Sequence, residues 1–160
     1  MNLSFRMAEP DDVELLDALA RMAFDPRFGE GWSGAQIVAT LMQPRSWGEI
    51  AFLDDDAAGF SLLRAVADEV ELLLVAVSPE ARSQGIGKAL LGRAGHDALR
   101  AGGRIMHLEM RENNEGARQL YEYFSFSAVG RRRAYYCGGN GERFDAITMQ
   151  SSLPLKYAAN

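Results

Sequence analysis

Cysteine is nearly absent from this chain of 160 residues. Cys137 stands alone, so no internal disulfide can form, and a reducing cytoplasm is the expected setting. One cysteine also offers little from which to build a metal site, and none is expected. No apolar run reaches the roughly 18 residues of a membrane-spanning helix, so no membrane role is expected. Met1 to Pro10 lacks an apolar core behind a basic stretch and does not read as a signal peptide. With no repeat, low-complexity tract or linker, residues 1–160 read as a single domain. Lysine is missing from the first 80 residues, which carry 5 Arg against 15 Asp and Glu.

What is present suits a globular fold. Apolar residues make up 48% of the chain and charged residues 24%. The second half reverses the charge balance, with 12 Lys and Arg against 7 Asp and Glu. The split suggests an anion held by the second half and a cation near the first, or else two unrelated solvated surfaces.

Asn2 to Met7 reads as an opening strand. Pro10 suits a first helical turn, and Val13, Leu15, Leu16, Leu19, Ala20 and Ala23 trace a helical stripe behind it. Phe24 to Gly31 reads as a loop. Ser33 and Gln36 form a capping box for a helix toward Met42. Strands follow at Ile50–Leu53 and Gly59–Val66. Val70–Val77, apolar almost throughout, reads as a central strand covered on both faces. A helix from about Gly87 to Ala101, a strand Arg104–Met110, a helix Asn114–Phe124 and a hairpin of Ala128–Tyr136 with Phe144–Gln150 complete the chain. The expected class is α/β, a mixed sheet with helices on both faces.

The chemistry concentrates after the central strand. Arg82, Gln84, Gly85 and Gly87 spell R-x-x-G-x-G at the start of a helix. Glycines admit a ligand close to the backbone, and a helix N-terminus offers unpaired N–H groups with a positive dipole end. Together these make a cradle for a diphosphate, with Arg82 and Lys88 adding positive charge. The pattern is neither the G-x-G-x-x-G of dinucleotide sites nor a Walker loop. The longer spacing V-x-P-x-x-R-x-x-G-I-G-x-x-L-L, from Val77 to Leu91, resembles the coenzyme A pyrophosphate motif of the GNAT N-acetyltransferases. That resemblance implies acetyl-CoA as cosubstrate, held by Val75, Ala76 and Val77 and by Arg82, Ser83, Gln84, Gly85, Ile86, Gly87 and Lys88. It also implies the GNAT fold, a mostly antiparallel twisted sheet whose parallel strands, ending at Val77 and Met110, splay to admit the pantetheine arm.

On the strand Ile105–Met110, Ile105, His107 and Glu109 share one face. Glu109 is either a group at a cleft or a solvated strand end paired with Arg111 or Arg104. His107 is a lesser candidate base. Asn114 reads as an N-cap and Tyr121 as a core aromatic with a wet hydroxyl; both readings are compatible with a functional role. Leu108-Glu109, Arg111, Asn114, Ala117, Leu120-Tyr121, Phe126, Arg132-Arg133, Tyr135-Tyr136 and Asp145-Ala146 resemble the consecutive landmarks of the RimI-type branch, which acetylates the N-terminal alanine of a small-subunit ribosomal protein. By that resemblance Glu109 is the general base, Tyr121 the general acid, and Asn114 and Ala117 contact the coenzyme. The sequence departs from the pattern at Ser125, usually glycine, at Phe144, usually acidic, and in a longer loop before Gly31-Trp32-Ser33. The implied acceptor is a protein N-terminal amine. A small amine and a silent acyl-CoA sensor are the alternatives, and retention of Glu109 and Tyr121 argues against the sensor. No nucleic-acid partner is implied, and the chain is expected to be a monomer or homodimer.

Overall fold

A computed structural model describes residues 2–157. Eight strands form one sheet: β1 (Leu3–Met7), β2 (Ser46–Trp47), β3 (Glu49–Leu53), β4 (Asp56–Val66), β5 (Glu69–Val77), β6 (Ile105–Arg111), β7 (Ser127–Cys137) and β8 (Arg143–Ser152). Four α-helices accompany them: α1 (Val13–Ala23), α2 (Gly34–Leu41), α3 (Ile86–Arg100) and α4 (Glu115–Tyr123). The order across the sheet is β1-β3-β4-β5-β6-β8-β7, with β2 beside β4. Only β5 and β6 run parallel. This is the mixed, mostly antiparallel class expected. Among the described residues, no helix is long and apolar enough to cross a membrane.

Local chemistry accounts for most boundaries. The Ser33 hydroxyl accepts the Gln36 N–H at 3.1 Å while the Gln36 side chain accepts the Ser33 N–H at 2.8 Å, closing the capping box of α2. Pro10 starts a 3₁₀ turn, Pro10–Asp12, and not the α-helix itself. Strand β2 escapes sequence pattern because two residues show no alternation; Arg45, with φ of 59°, turns the chain into it. Ser125 adopts φ of 65°, the left-handed conformation that favours glycine, and its hydroxyl donates to the Lys156 carbonyl at 2.8 Å. The departure from glycine at this position therefore keeps the turn.

The two faces of the sheet carry different helices. Leu16, Leu19 and Ala20 of α1 and Ile37 of α2 pack on Ile50, Phe60, Leu62, Leu74 and Ala76. On the other face Leu91, Ala94 and Ala98 of α3 and Tyr121 of α4 pack on Val70, Leu72, Met106 and Leu108. Along β5 the buried even-numbered side chains thus switch from one face of the sheet to the other. The cause is an extra residue: Leu62 pairs with Leu74 and Leu63 with Leu72, leaving Leu73 unopposed. Such a bulge bends the strand and sharpens its twist.

The bulge sits where β5 and β6 part. Their pairing runs only through Glu69–Ile105, Val70–Met106 and Glu71–His107. Beyond it β5 stays on β4 as far as Gly59–Val77, and β6 stays on β8 as far as Arg111–Ala146. A wedge opens between the carboxyl halves of the two strands. The Ser78 N–H bonds the Ala58 carbonyl at 2.8 Å. By the alternation of an antiparallel ladder, Ala76 then also faces β4, while the N–H groups of Val75 and Val77 face the wedge.

Candidate active site

The chain leaves β5 through a 3₁₀ turn, Pro79–Ala81, and enters α3 through Arg82–Gly85. Ser83 and Gly85 both take left-handed conformations, with φ of 64° and 83°. The loop therefore curls so that successive N–H groups converge, which is the geometry of an anion nest. No side chain caps α3. Its first backbone bond within the helix is from the Ala89 N–H to the Gly85 carbonyl, so the Ile86, Gly87 and Lys88 N–H groups are left for a ligand. A Cβ on Gly85 would meet nothing within 4 Å, so glycine is required there by φ and not by packing.

The flanking charged side chains have partners of their own. The Arg82 guanidinium donates to the Val77 carbonyl at 3.2 Å and to the Ala23 carbonyl at 2.9 Å, tying the loop to the end of α1. The Lys88 ammonium lies 4.1 Å from the centre of the Tyr123 ring. Ile86 is buried, so only its backbone faces the ligand side. The Gln84 side chain bonds the Glu80 carbonyl. Backbone dipole, more than side-chain charge, makes the cradle attractive to an anion.

Two adjoining cavities, of about 640 and 190 Å³, follow from cradle to wedge. Val75, Ala76, Val77, Arg82, Ser83, Gly87, Asn114, Ala117 and Tyr121 line the larger. The smaller contains Glu109, with Glu30, Trp32, Tyr135 and Tyr136. Phe24, Glu30, Val75, Asn114, Ala117 and Tyr121 belong to both and form the passage between them. The Asn114 side-chain oxygen caps α4 by accepting the Ala117 N–H at 3.1 Å, so its capping and cavity-lining roles coexist. His107 lies where β5 and β6 are still joined and lines neither cavity.

Glu109 is 22% exposed, and its Oε2 atom is buried with no hydrogen-bond partner. Arg132 approaches that oxygen at 3.4 Å without donating to it. The Tyr121 hydroxyl is pushed up to about 12, first by burial and then by the Glu30 carboxylate. Tyr136 is raised as well, by burial and then by Glu30, Glu109, Tyr135 and Tyr121. Two carboxylates and the two phenols Tyr121 and Tyr136 therefore line one cavity.

Glu30 carries no signal in the sequence, because it sits in an aperiodic loop. The fold brings it in through a stack. Arg111 lies over the Phe28 ring, its guanidinium carbon 3.6 Å from the ring centre, and donates to the Glu30 carboxylate at 2.7 Å. Phe28 meets Phe144 edge to face, with centroids 5.5 Å apart. The longer loop and the departure at Phe144 are thus one feature, since each supplies half of a contact. Arg111 is 9% exposed and Glu30 18%. Arg111→Leu is expected to cost about 3 kcal/mol, as for breaking a buried pair. That corresponds to a fall in Tm of roughly 6–12 °C. Unchanged thermal melting would contradict this account of the loop.

The Acetyltransferase (GNAT) family matches residues 14–126, and the chain belongs to that family. Its relatives narrow the comparison. Over 98 residues the chain is 38% identical to the [ribosomal protein bS18]-alanine N-acetyltransferase of Escherichia coli, and over 95 residues 37% identical to that of Haemophilus influenzae. The matched stretches cover 61% and 59% of this chain and 64% of each relative. The crystal structure of the E. coli ribosomal-protein-S18-alanine N-acetyltransferase superposes with a TM-score of 0.84 at 27% identity, covering 99% of this chain and 97% of that one.

Proposed function

We propose that this protein transfers the acetyl group of acetyl-CoA to the N-terminal α-amine of a protein, with a ribosomal-protein alanine as acceptor. The observation that carries the reading is the unpartnered Glu109 Oε2 in the wedge that the Leu73 bulge opens. The relatives' names supply the acceptor.

The cradle fits the coenzyme: an uncapped helix end with converging N–H groups suits a diphosphate, and the edge of β5 suits an amide-bearing arm. Acetyl-CoA supplies the acyl group as a thioester. Val75, Ala76 and Val77, the loop Arg82–Lys88, Asn114 and Ala117 would hold it. Glu109 accepts the proton of the amine at Oε2, directly or through one water. An α-amine loses that proton at about 7.7–8.0, against about 10.4 for lysine, so a weak carboxylate base suffices. The Val77 N–H, aimed into the wedge, meets charge developing on the acetyl oxygen. Tyr121 donates to the leaving sulfur. A thiol ionises at about 8.5, so a phenol pushed up to about 12 acts mainly as a hydrogen-bond donor and gives up its proton late.

The acceptor is tested on a panel of peptides beginning with alanine, peptides with a blocked N-terminus and a free lysine, and polyamines. Fast transfer only to free α-amines is expected; preference for a polyamine would overturn the reading. Two further results are expected of Tyr121. Tyr121→Phe lowers kcat by about 10²–10³-fold with little change in KM, on the scale of one lost transition-state donor. Because burial and the Glu30 carboxylate push the Tyr121 hydroxyl up to about 12, kcat/KM rises as the acceptor amine deprotonates and stays level to about pH 10. A fall between pH 8 and 10 that Tyr121→Phe abolishes would contradict the assignment.

A further inference from the structure

Tyr135 and Tyr136 line the acceptor cavity and Arg132 reaches its Glu109, yet all three belong to β7, the outermost strand of the sheet. A regular edge strand would send neighbouring side chains to opposite faces. The pairing of β7 with β8 is broken where it matters. Arg132 stands opposite Ala146 and Tyr136 opposite Phe144, so Arg133, Ala134 and Tyr135 together face the single residue Asp145. Ala134 takes a φ of 52°, left-handed for a residue that has a Cβ.

The Asp145 carboxylate fills the break. One oxygen accepts the Ala134 N–H at 2.8 Å, and the other receives the Arg131 guanidinium. These bonds, the Ala134 N–H first and Arg131 second, hold the carboxyl below its usual range. Arg143 donates to the Ala134 carbonyl at 3.3 Å, so both polar groups of the kinked residue are satisfied by side chains of β8. At the kink Tyr135 and Tyr136 stack edge to face, 5.0 Å between centroids, and both line the smaller cavity. Arg132 covers the Tyr135 ring at 5.3 Å and reaches Glu109.

We infer that Asp145 is a positioning residue for the acceptor side of the site: it holds the β7 bulge that turns Tyr135, Tyr136 and Arg132 toward Glu109. It lines neither cavity and acts only through the strand. The inference rests on the proposed function for what the cavity receives. It gives a reason for three of the sequence landmarks, Arg132-Arg133, Tyr135-Tyr136 and Asp145-Ala146, that the chemistry alone leaves unused.

The test compares Asp145→Ala and Asp145→Asn in the full chain, with whichever amine of the panel the wild-type protein acetylates fastest. A wrong acceptor class then overturns the proposed function without deciding this test. Asp145→Ala is expected to lower kcat/KM for the acceptor on the order of 10²-fold, the scale of a misplacement of about 1 Å. Its affinity for acetyl-CoA by calorimetry stays at the wild-type value, because the cradle lies beside β5. Asp145→Asn keeps an oxygen for the Ala134 N–H and restores most of the activity. Amide hydrogen exchange at Ala134 reports the bulge without any acceptor: slow in wild type and Asp145→Asn, fast in Asp145→Ala. Wild-type kcat/KM in an Asp145→Ala variant whose Ala134 amide exchanges fast would overturn the inference. So would an Asp145→Asn variant as impaired as Asp145→Ala, or acetyl-CoA affinity falling in step with activity.

Discussion

Glu109→Gln is expected to lower turnover by about 10²–10⁴-fold, the range for loss of a general base, with acetyl-CoA affinity unchanged. Glutamine has the shape of glutamate and neither its charge nor its basicity. Glu109 lines the smaller cavity only, away from the α3 cradle, so calorimetry on the coenzyme should not register the change. Stability should hardly move. The only ion pair lost is with Arg132, whose side chain is 61% exposed, and exposed pairs contribute about 0–1 kcal/mol. Glu30→Gln is the necessary companion, because Glu30 is the other carboxylate of the passage. One of its oxygens is already taken by Arg111 at 2.7 Å, whereas Glu109 Oε2 has no donor. The larger loss of kcat should therefore fall on Glu109→Gln. Turnover within tenfold of wild type in that variant would point instead to deprotonation by bulk water, with catalysis left to positioning.

The features that sequence exposes here are local ones. The strand, turn and glycine-bearing start of α3 are encoded within Val75–Leu91, and Glu109 follows from two-residue alternation on a short strand. The splay follows from the family resemblance, but the bulge that opens it left no trace. Val70–Val77 is apolar at nearly every position, so the slip in parity at Leu73 changes no hydrophobic pattern, although it separates β5 from β6. Glu30 is invisible for another reason: its place depends on Arg111 and Phe144, far along the chain, meeting Phe28. The β7 bulge is hidden because its residues are exposed apart from Tyr136, so no burial pattern marks the kink. Sequence also reads Arg82 and Lys88 as positive charge beside the cradle. The backbone carbonyls and the Tyr123 ring that their side chains meet are partners that only the fold supplies.

Gly87→Leu is expected to abolish acetyl-CoA binding, raising Kd at least on the order of 10²-fold, about 3 kcal/mol, while the fold survives or gains stability. Gly85 would be the poorer probe, since with φ of 83° any side chain there is strained before a ligand arrives. Gly87 lies in the first turn of α3 with ordinary helical φ, and a Cβ there would meet Leu120 at 3.5 Å and Val77 at 3.9 Å, both normal contacts. Nothing in the protein requires glycine at this position. Replacing a helical glycine with a good helix former contributes up to about 1 kcal/mol of stability. The added leucine has only the larger cavity to enter, because Gly87 lines it beside Val77 and Leu120. It would stand over the N–H groups that are left unpaired at the start of α3. Stability and binding should therefore move in opposite directions, which separates the cradle from any general loss of structure. Calorimetry with acetyl-CoA and thermal melting of the same sample measure the two. Binding within threefold of wild type at an unchanged Tm would remove the diphosphate from this helix end, and with it the reason for glycine at residue 87.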